Sequence, residues 1–179
     1  MKKNLQKYFI AFISIFFIAF TLNIEAQNQS TNREVKKTNI KYKKARALQA
    51  GTAKKMAKVY EALEVVDEKG EPDPDMETVL SILNELRRDM SNLKSYDRSV
   101  MWNAWAFVYF SDGKYEQAMD AYYRLINEPE VTIGLRVGAL LSLAQLHLVQ
   151  ENYKEGIELI LQWMDEVEKV TAQSYSLLG

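Results

Sequence analysis

The sequence predicts an all-α protein built from stacked antiparallel helix hairpins, an α-solenoid, and three observations carry that prediction. Ala, Leu, Glu, Lys, Met and Gln are plentiful, whereas Gly and Pro number only seven and three, a mix that favours helix on intrinsic propensity. Apolar residues return every three or four positions, the period of a single helix face. One phrase of the sequence also recurs after 38 and then 35 residues. Self-similarity at such a period marks a repeat architecture.

Residues 1–26 form a segment of their own. Met1-Lys2-Lys3 and Lys7 make a positive start, and the run Tyr8–Leu22 is apolar apart from Ser14 and Thr21. Ile24-Glu25-Ala26 then places a small residue before Gln27, completing the three-part layout of a secretory signal peptide. An uncleaved anchor is the rival reading. The run would reach roughly 22 Å as a helix, short of a hydrocarbon core of roughly 30 Å. Export with cleavage is therefore the expectation, with a Gram-negative periplasm as the destination. No Cys occurs anywhere, which excludes a disulfide, a thiolate zinc site, a thiol nucleophile and a lipid-modified cysteine.

Residues 27–41 read as a polar, basic linker. Gln27–Asn39 holds almost nothing to bury and cannot offset its ordering entropy. From Tyr42 the helical pattern begins: Ala45, Leu48, Thr52, Met56, Val59, Leu63 and Val66 fall on one stripe. Lys69-Gly70 is expected to end that helix, and the two prolines of Glu71-Pro72-Asp73-Pro74-Asp75 mark a loop. Met76–Met90 resumes the helical period through Val79, Leu80, Leu83 and Leu86.

Charge is unevenly shared. Between Arg33 and Lys58 ten Lys or Arg face the single acid Glu34, whereas Val59–Gly179 holds ten basic and twenty-two acidic residues. A basic arm carrying Lys36, Lys37, Lys41, Lys43, Lys44 and Arg46 thus precedes an acidic body. The arm has several readings: a solvated linker and helix face, an acidic partner (this protein's own body included), or an anionic membrane surface. Nucleic acid is opposed by the export signal and the acidic body.

The repeated phrase is Trp102-x2-Trp105-Ala106-x2-Tyr109 followed by Ala118-x3-Tyr122 and Pro129. It returns as Leu140-x2-Leu143-Ala144-x2-His147 followed by Gly156-x3-Ile160, and begins again at Tyr175-x2-Leu178-Gly179. Two antiparallel helices joined by a tight turn approach closely, so small side chains belong where backbones nearly touch. That pairs Ala106 with Ala118 and Ala144 with Gly156. Large residues four before and three after the small one (Trp102 with Tyr109, Leu140 with His147) then fill the space between hairpins. Asp112-Gly113 supplies a turn, because Gly accepts backbone angles that other residues resist.

These residues resemble the tetratricopeptide-repeat family over about residues 59–179, with repeats at 59–90, 99–130, 137–169 and a partial one at 172–179. Trp105 stands where the family has Leu, and His147 where it has Tyr. The resemblance implies a helical solenoid whose first helices line a concave groove that binds a protein or peptide. It places Asn103, Phe107, Phe110, Leu141, Gln145 and Leu148 on that groove. The wider layout is similar to periplasmic repeat proteins that accompany TonB–ExbB–ExbD energy-transduction systems. An envelope-architecture component acting at the membrane through the basic arm is the alternative.

Chemistry finds little to work with. His147 is the only histidine, and a zinc site needs three or four convergent ligands. Glu155 with Glu158 and Asp165 with Glu168 could act as acid–base pairs, but helical spacing equally makes them a solvated acidic face. Asp73 and Asp75 invite a calcium reading that Pro74 and the missing distal Glu contradict. No phosphate loop, nucleophile elbow or metalloprotease helix occurs. The expectation is a binding protein with no cofactor, metal, nucleic acid or small-molecule substrate, and no enzymatic activity.

Overall fold

The computed structural model describes residues 46–178, with side chains described up to Val167; the leader, the linker and the arm before Arg46 lie outside them. Among the described residues the fold is all-helical: α1 (Ala50–Leu63), α2 (Met76–Arg88), α3 (Ser95–Ser111), α4 (Tyr115–Ile126), α5 (Ile133–Val149) and α6 (Tyr153–Leu178). A 3-10 turn at Met90–Asn92 links α2 to α3. Neighbours in sequence pack on each other, α1 on α2, α3 on α4, α4 on α5 and α5 on α6, and α3 also touches α5.

Helix α1 is shorter than the sequence stripe implies. Leu48 precedes it, because the chain is held from outside at Gln49. The Gln49 backbone N–H donates to the Asp97 carboxylate at 3.0 Å, and its side-chain oxygen accepts from the Lys94 N–H at 3.1 Å. At the other end Glu64 stops the helix well before Gly70. Asp67 N–H donates to Glu71 at 2.8 Å and Asp73 N–H to Val65 at 2.9 Å, around an antiparallel bridge between Val66 and Pro72. Gly70, with φ of +79°, turns this small excursion rather than ending the helix. Thr52, Met56, Val59 and Ala62 still bury one face, whereas Val66 is exposed.

Helix α2 starts at Asp75, whose carboxylate accepts the Thr78 N–H at 3.0 Å. This is N-capping, which satisfies a donor the helix itself cannot pair. The Thr78 side chain first, and this backbone bond after it, hold the Asp75 carboxyl below its usual range, and Arg87 and Arg88 suit the negative end of the helix dipole.

The next four helices make two hairpins that repeat each other at 38 residues. Helix α3 ends with the Lys114 N–H donating to Tyr109 at 2.8 Å and the Gly113 N–H to Phe110 at 3.0 Å. Helix α5 ends with the Asn152 N–H donating to His147 at 2.9 Å and the Glu151 N–H to Leu148 at 3.1 Å. Both are Schellman closures, which need a left-handed residue just past the helix. Gly113 supplies it at φ +71°, and Glu151 supplies it at φ +62°. Three-residue connections then fold α4 back on α3 and α6 back on α5.

The small residues of the repeated phrase are sealed, and Ala144 meets Gly156 closely. Ala106, Ala118 and Ala144 are fully buried and Gly156 is buried. A Cβ on Gly156 would lie 3.3 Å from the Ala144 carbonyl oxygen and 2.8 Å from Leu148 Cδ2. Helix α6 differs from its counterpart α4 in length, 26 residues against 12. It runs through Tyr175 without a turn, because no Gly or Pro interrupts 157–178. The further helix read from Tyr175 onward is therefore a continuation of α6; Gly179 lies outside the described residues.

Candidate partner-binding surface

Two ion pairs brace the hairpins at equivalent places. Arg98, in the first turn of α3, meets Glu128 with two bonds of 2.8 Å and donates to the Leu93 carbonyl at 2.7 Å. Arg136, in the first turn of α5, meets Glu166 at 3.1 Å and donates to the Ile126 carbonyl at 2.6 Å. Each arginine ties the start of a first helix to a carboxylate thirty residues on, just past α4 for Glu128 and within α6 for Glu166, and to a backbone carbonyl on the chain before its own helix. The bond to Glu128 raises the Arg98 pKa further. Sequence reading missed both pairs, although each spans thirty residues and the two are offset by the 38 of the repeat.

The aromatic slot of each repeat reaches back to the preceding hairpin. Tyr109 stacks on Trp105 at 5.0 Å, and its hydroxyl accepts from the Arg87 guanidinium of α2 at 3.2 Å. Arg87 also lies over Trp102 and Trp105 at 5.9 and 5.7 Å, while Arg124 of α4 covers Trp102 at 5.1 Å. One repeat later, Nε2 of His147 lies 2.9 Å from the Tyr123 hydroxyl of α4. His147 thus packs as the slot's ring, between hairpins.

Of the six groove positions, five keep a surface. Asn103 and Phe107 on α3, and Leu141, Gln145 and Leu148 on α5, are all half-buried. Four of them form two rungs, Asn103 with Leu141 and Phe107 with Gln145, related by the same 38 residues. The sixth turns away. Phe110 is buried, with its ring 5.6 Å from Tyr115 of α4. Leu148, its counterpart, touches Gly156 of α6 and still keeps a surface. Both stand in the last turn of a first helix, where the Schellman closure brings the second helix close.

Of the six arm residues, only Arg46 is described. It donates to the Glu130 backbone carbonyl and lies 3.9 Å from the Glu130 carboxylate, so this part of the arm engages the acidic body. Further on, Lys55 pairs with Glu85 at 2.9 Å. Asp97, which sequence reading passed over, is fully buried and leaves one carboxylate oxygen without a partner. Its role is structural, since its other oxygen holds the start of α1.

Glu155, Glu158 and Asp165 are exposed on α6; the Glu168 side chain is not among those described. Asp75 serves as a helix cap. Among the described residues, no group of three or more His, Asp or Glu side chains is gathered to hold a metal ion. A shallow basin of about 630 Å³ beside α2 is lined by Ser81, Asn84, Arg87 and Arg88, without the apolar walls that hold a small molecule. No helix among the described residues is long and apolar enough to cross a membrane. No protein-family model, curated protein or solved structure matches the chain.

Proposed function

We propose that this protein is an exported tetratricopeptide-repeat scaffold that holds a protein or peptide partner along the surface shared by α3 and α5. The observation that carries the reading is the pair of rungs, Asn103 with Leu141 and Phe107 with Gln145. Neighbouring first helices present equivalent half-buried side chains, while the larger core residues beside them are sealed. A row of partly apolar side chains on adjacent helices suits an extended peptide or an amphipathic helix, which anchors side chains at regular intervals. In this reading the protein is not an enzyme and takes no cofactor. Its partner belongs to an envelope assembly of the TonB type, to which the layout of leader, basic segment and repeats is similar.

The test is site-specific photocrosslinking in the envelope, with the crosslinker at Phe107 or Leu141 and a control at Gln117, an exposed position on α4. A discrete adduct at both test positions and none at Gln117 is expected. Substituting Phe107→Ala with Gln145→Ala should remove the Leu141 adduct while circular dichroism stays unchanged. Equal adducts at all three positions, or none at any, would discard the groove.

A further inference from the structure

Helix α6 carries an apolar stripe that nothing described covers. Tyr153, Ile157, Leu161 and Met164 follow at intervals of four, four and three, and each is more than half exposed. Scattered apolar residues on a surface are ordinary, but a continuous line of four is the kind of patch that marks an interface. The buried side of the same helix is different: Gly156 and Leu159 pack inward, and Glu166 holds Arg136.

The internal repeat says what such a stripe is for. Thirty-eight residues earlier, the same positions on α4 are Tyr115, Met119, Tyr123 and Ile126. There the next hairpin sits: Met119 and Ile126 are buried, Tyr123 meets His147, and Arg136 donates to the Ile126 carbonyl. The face on α6 is thus the stacking face of the repeat, presented once more.

We propose that a second copy of this chain occupies that face, the two α6 helices lying antiparallel about a two-fold axis near Leu159. The stripe is close to palindromic about that point. An antiparallel partner sets Ile157 against Leu161 of the second copy and Tyr153 against Met164. Charge agrees: Lys154 and Asp165 are both exposed on the same flank of the stripe at opposite ends, so each Lys154 meets the Asp165 of the other copy. A parallel pairing would put the two Lys154 at one height on opposite sides of the seam and lose both contacts. Glu158 stands on the same flank near the axis, where the two copies repel at the rim. An isologous contact of this kind closes on itself and makes a dimer rather than a filament. About half the surface of four large side chains gives roughly 400 Å² per copy, about 800 Å² in all and below the roughly 1,000 Å² of a stable interface, so the dimer is a weak one, in the roughly 1–100 μM range.

The experiment uses the chain isolated from cells expressing the full sequence. Sedimentation equilibrium should show a monomer–dimer equilibrium. Leu161→Glu should weaken it more than tenfold with helicity unchanged, and Glu158→Gln should tighten it several-fold. Since the chain has no cysteine of its own, Ile157→Cys and Leu161→Cys report the register directly. Mixed and oxidised, they should cross-link to each other far more than either does to itself. A monomer at all concentrations up to roughly 500 μM overturns the proposal. So does a dimer indifferent to Leu161→Glu, or Ile157→Cys chains that cross-link to themselves as readily as to Leu161→Cys.

Discussion

The Tyr123 hydroxyl and Nε2 of His147 lie 2.9 Å apart, with their rings edge to face at 6.1 Å. This contact joins one hairpin to the next, and Tyr109 with Arg87 makes its counterpart one repeat earlier. The slot asks for a ring that fills space and has a polar tip. His147 meets that demand but leaves Nδ1 buried without a partner, and a buried polar atom left unpaired costs about 1–3 kcal/mol. His147→Phe gives up the hydrogen bond and also removes the unpaired nitrogen. Urea unfolding should therefore show a change within about 1 kcal/mol. A loss beyond about 3 kcal/mol would mean the nitrogens do more than fill the slot.

Glu151 occupies a backbone position its own counterpart gives to glycine. With φ of +62° against +71° at Gly113, it bears the strain of a Cβ in the left-handed region. Glu151→Gly should raise stability by about 0.5–1 kcal/mol, the extra freedom of glycine in the unfolded chain offsetting part of the gain. Gly113→Ala should lower stability by about 1 kcal/mol. Thermal melts of the two variants should move in opposite directions.

Gly156 is needed for space rather than for backbone angle. Adding a methyl brings it 2.8 and 2.9 Å from Leu148 Cδ2 and Cγ, and 3.3 Å from the Ala144 oxygen. Overpacking costs about 1–3 kcal/mol, and better helix propensity returns up to about 1 kcal/mol. Gly156→Ala should be destabilising by about 1 kcal/mol. Combined with Leu148→Ala the two losses should fall short of additive, since the second change clears room for the first.

The repeated ion pairs should matter more than the exposed ones. Arg98 and Glu128 are mostly shielded, with side chains 28 % and 11 % exposed, whereas Arg124 and Asp120 are about half exposed. Glu128→Ala should cost about 1–2 kcal/mol, since two charge-assisted bonds are lost and Arg98 is left short of a partner. Asp120→Ala should cost under about 0.5 kcal/mol. Equal losses in urea unfolding would contradict this ordering.

Burial, with the Tyr96 hydroxyl nearby, pushes the Tyr60 pKa up from 10.0 to about 12. Below pH 10 the phenol is neutral in folded and unfolded chains alike, and its contribution is fully present. Between about pH 10 and 12 only the unfolded chain ionises it, so stability falls as pH rises, by up to about 1.4 kcal/mol per pH unit for this one group. Tyr60→Phe should flatten part of that alkaline limb. Absorbance at 295 nm should show one fewer tyrosine titrating above pH 11; no difference there would refute the assignment.

The candidate surface was partly legible and partly not. Asn103, Phe107, Leu141 and Gln145 could be placed because first-helix positions follow from the repeat phrase. Phe110 obeys the same periodicity, yet the turn after its helix decides that it faces Tyr115 instead, while Leu148 touches Gly156 and keeps a surface as well. The stripe on α6 was visible as spacing, Tyr153, Ile157, Leu161 and Met164. A spacing alone cannot say which of two apolar faces has a neighbour.

By itself the sequence determined the helical class, the turn at Asp112-Gly113, the burial of Ala106 and Ala118, and the close seam at Ala144 with Gly156. These depend on forces that act within a few residues: propensity, backbone angles and the size of a side chain at a fixed phase. Only the tertiary structure decided that α1 begins at Ala50, that Arg98 and Arg136 reach across thirty residues to Glu128 and Glu166, and which face of α6 stays open. Those depend on partners distant in the chain, and a contact made through space leaves no period in the sequence until both of its ends are folded.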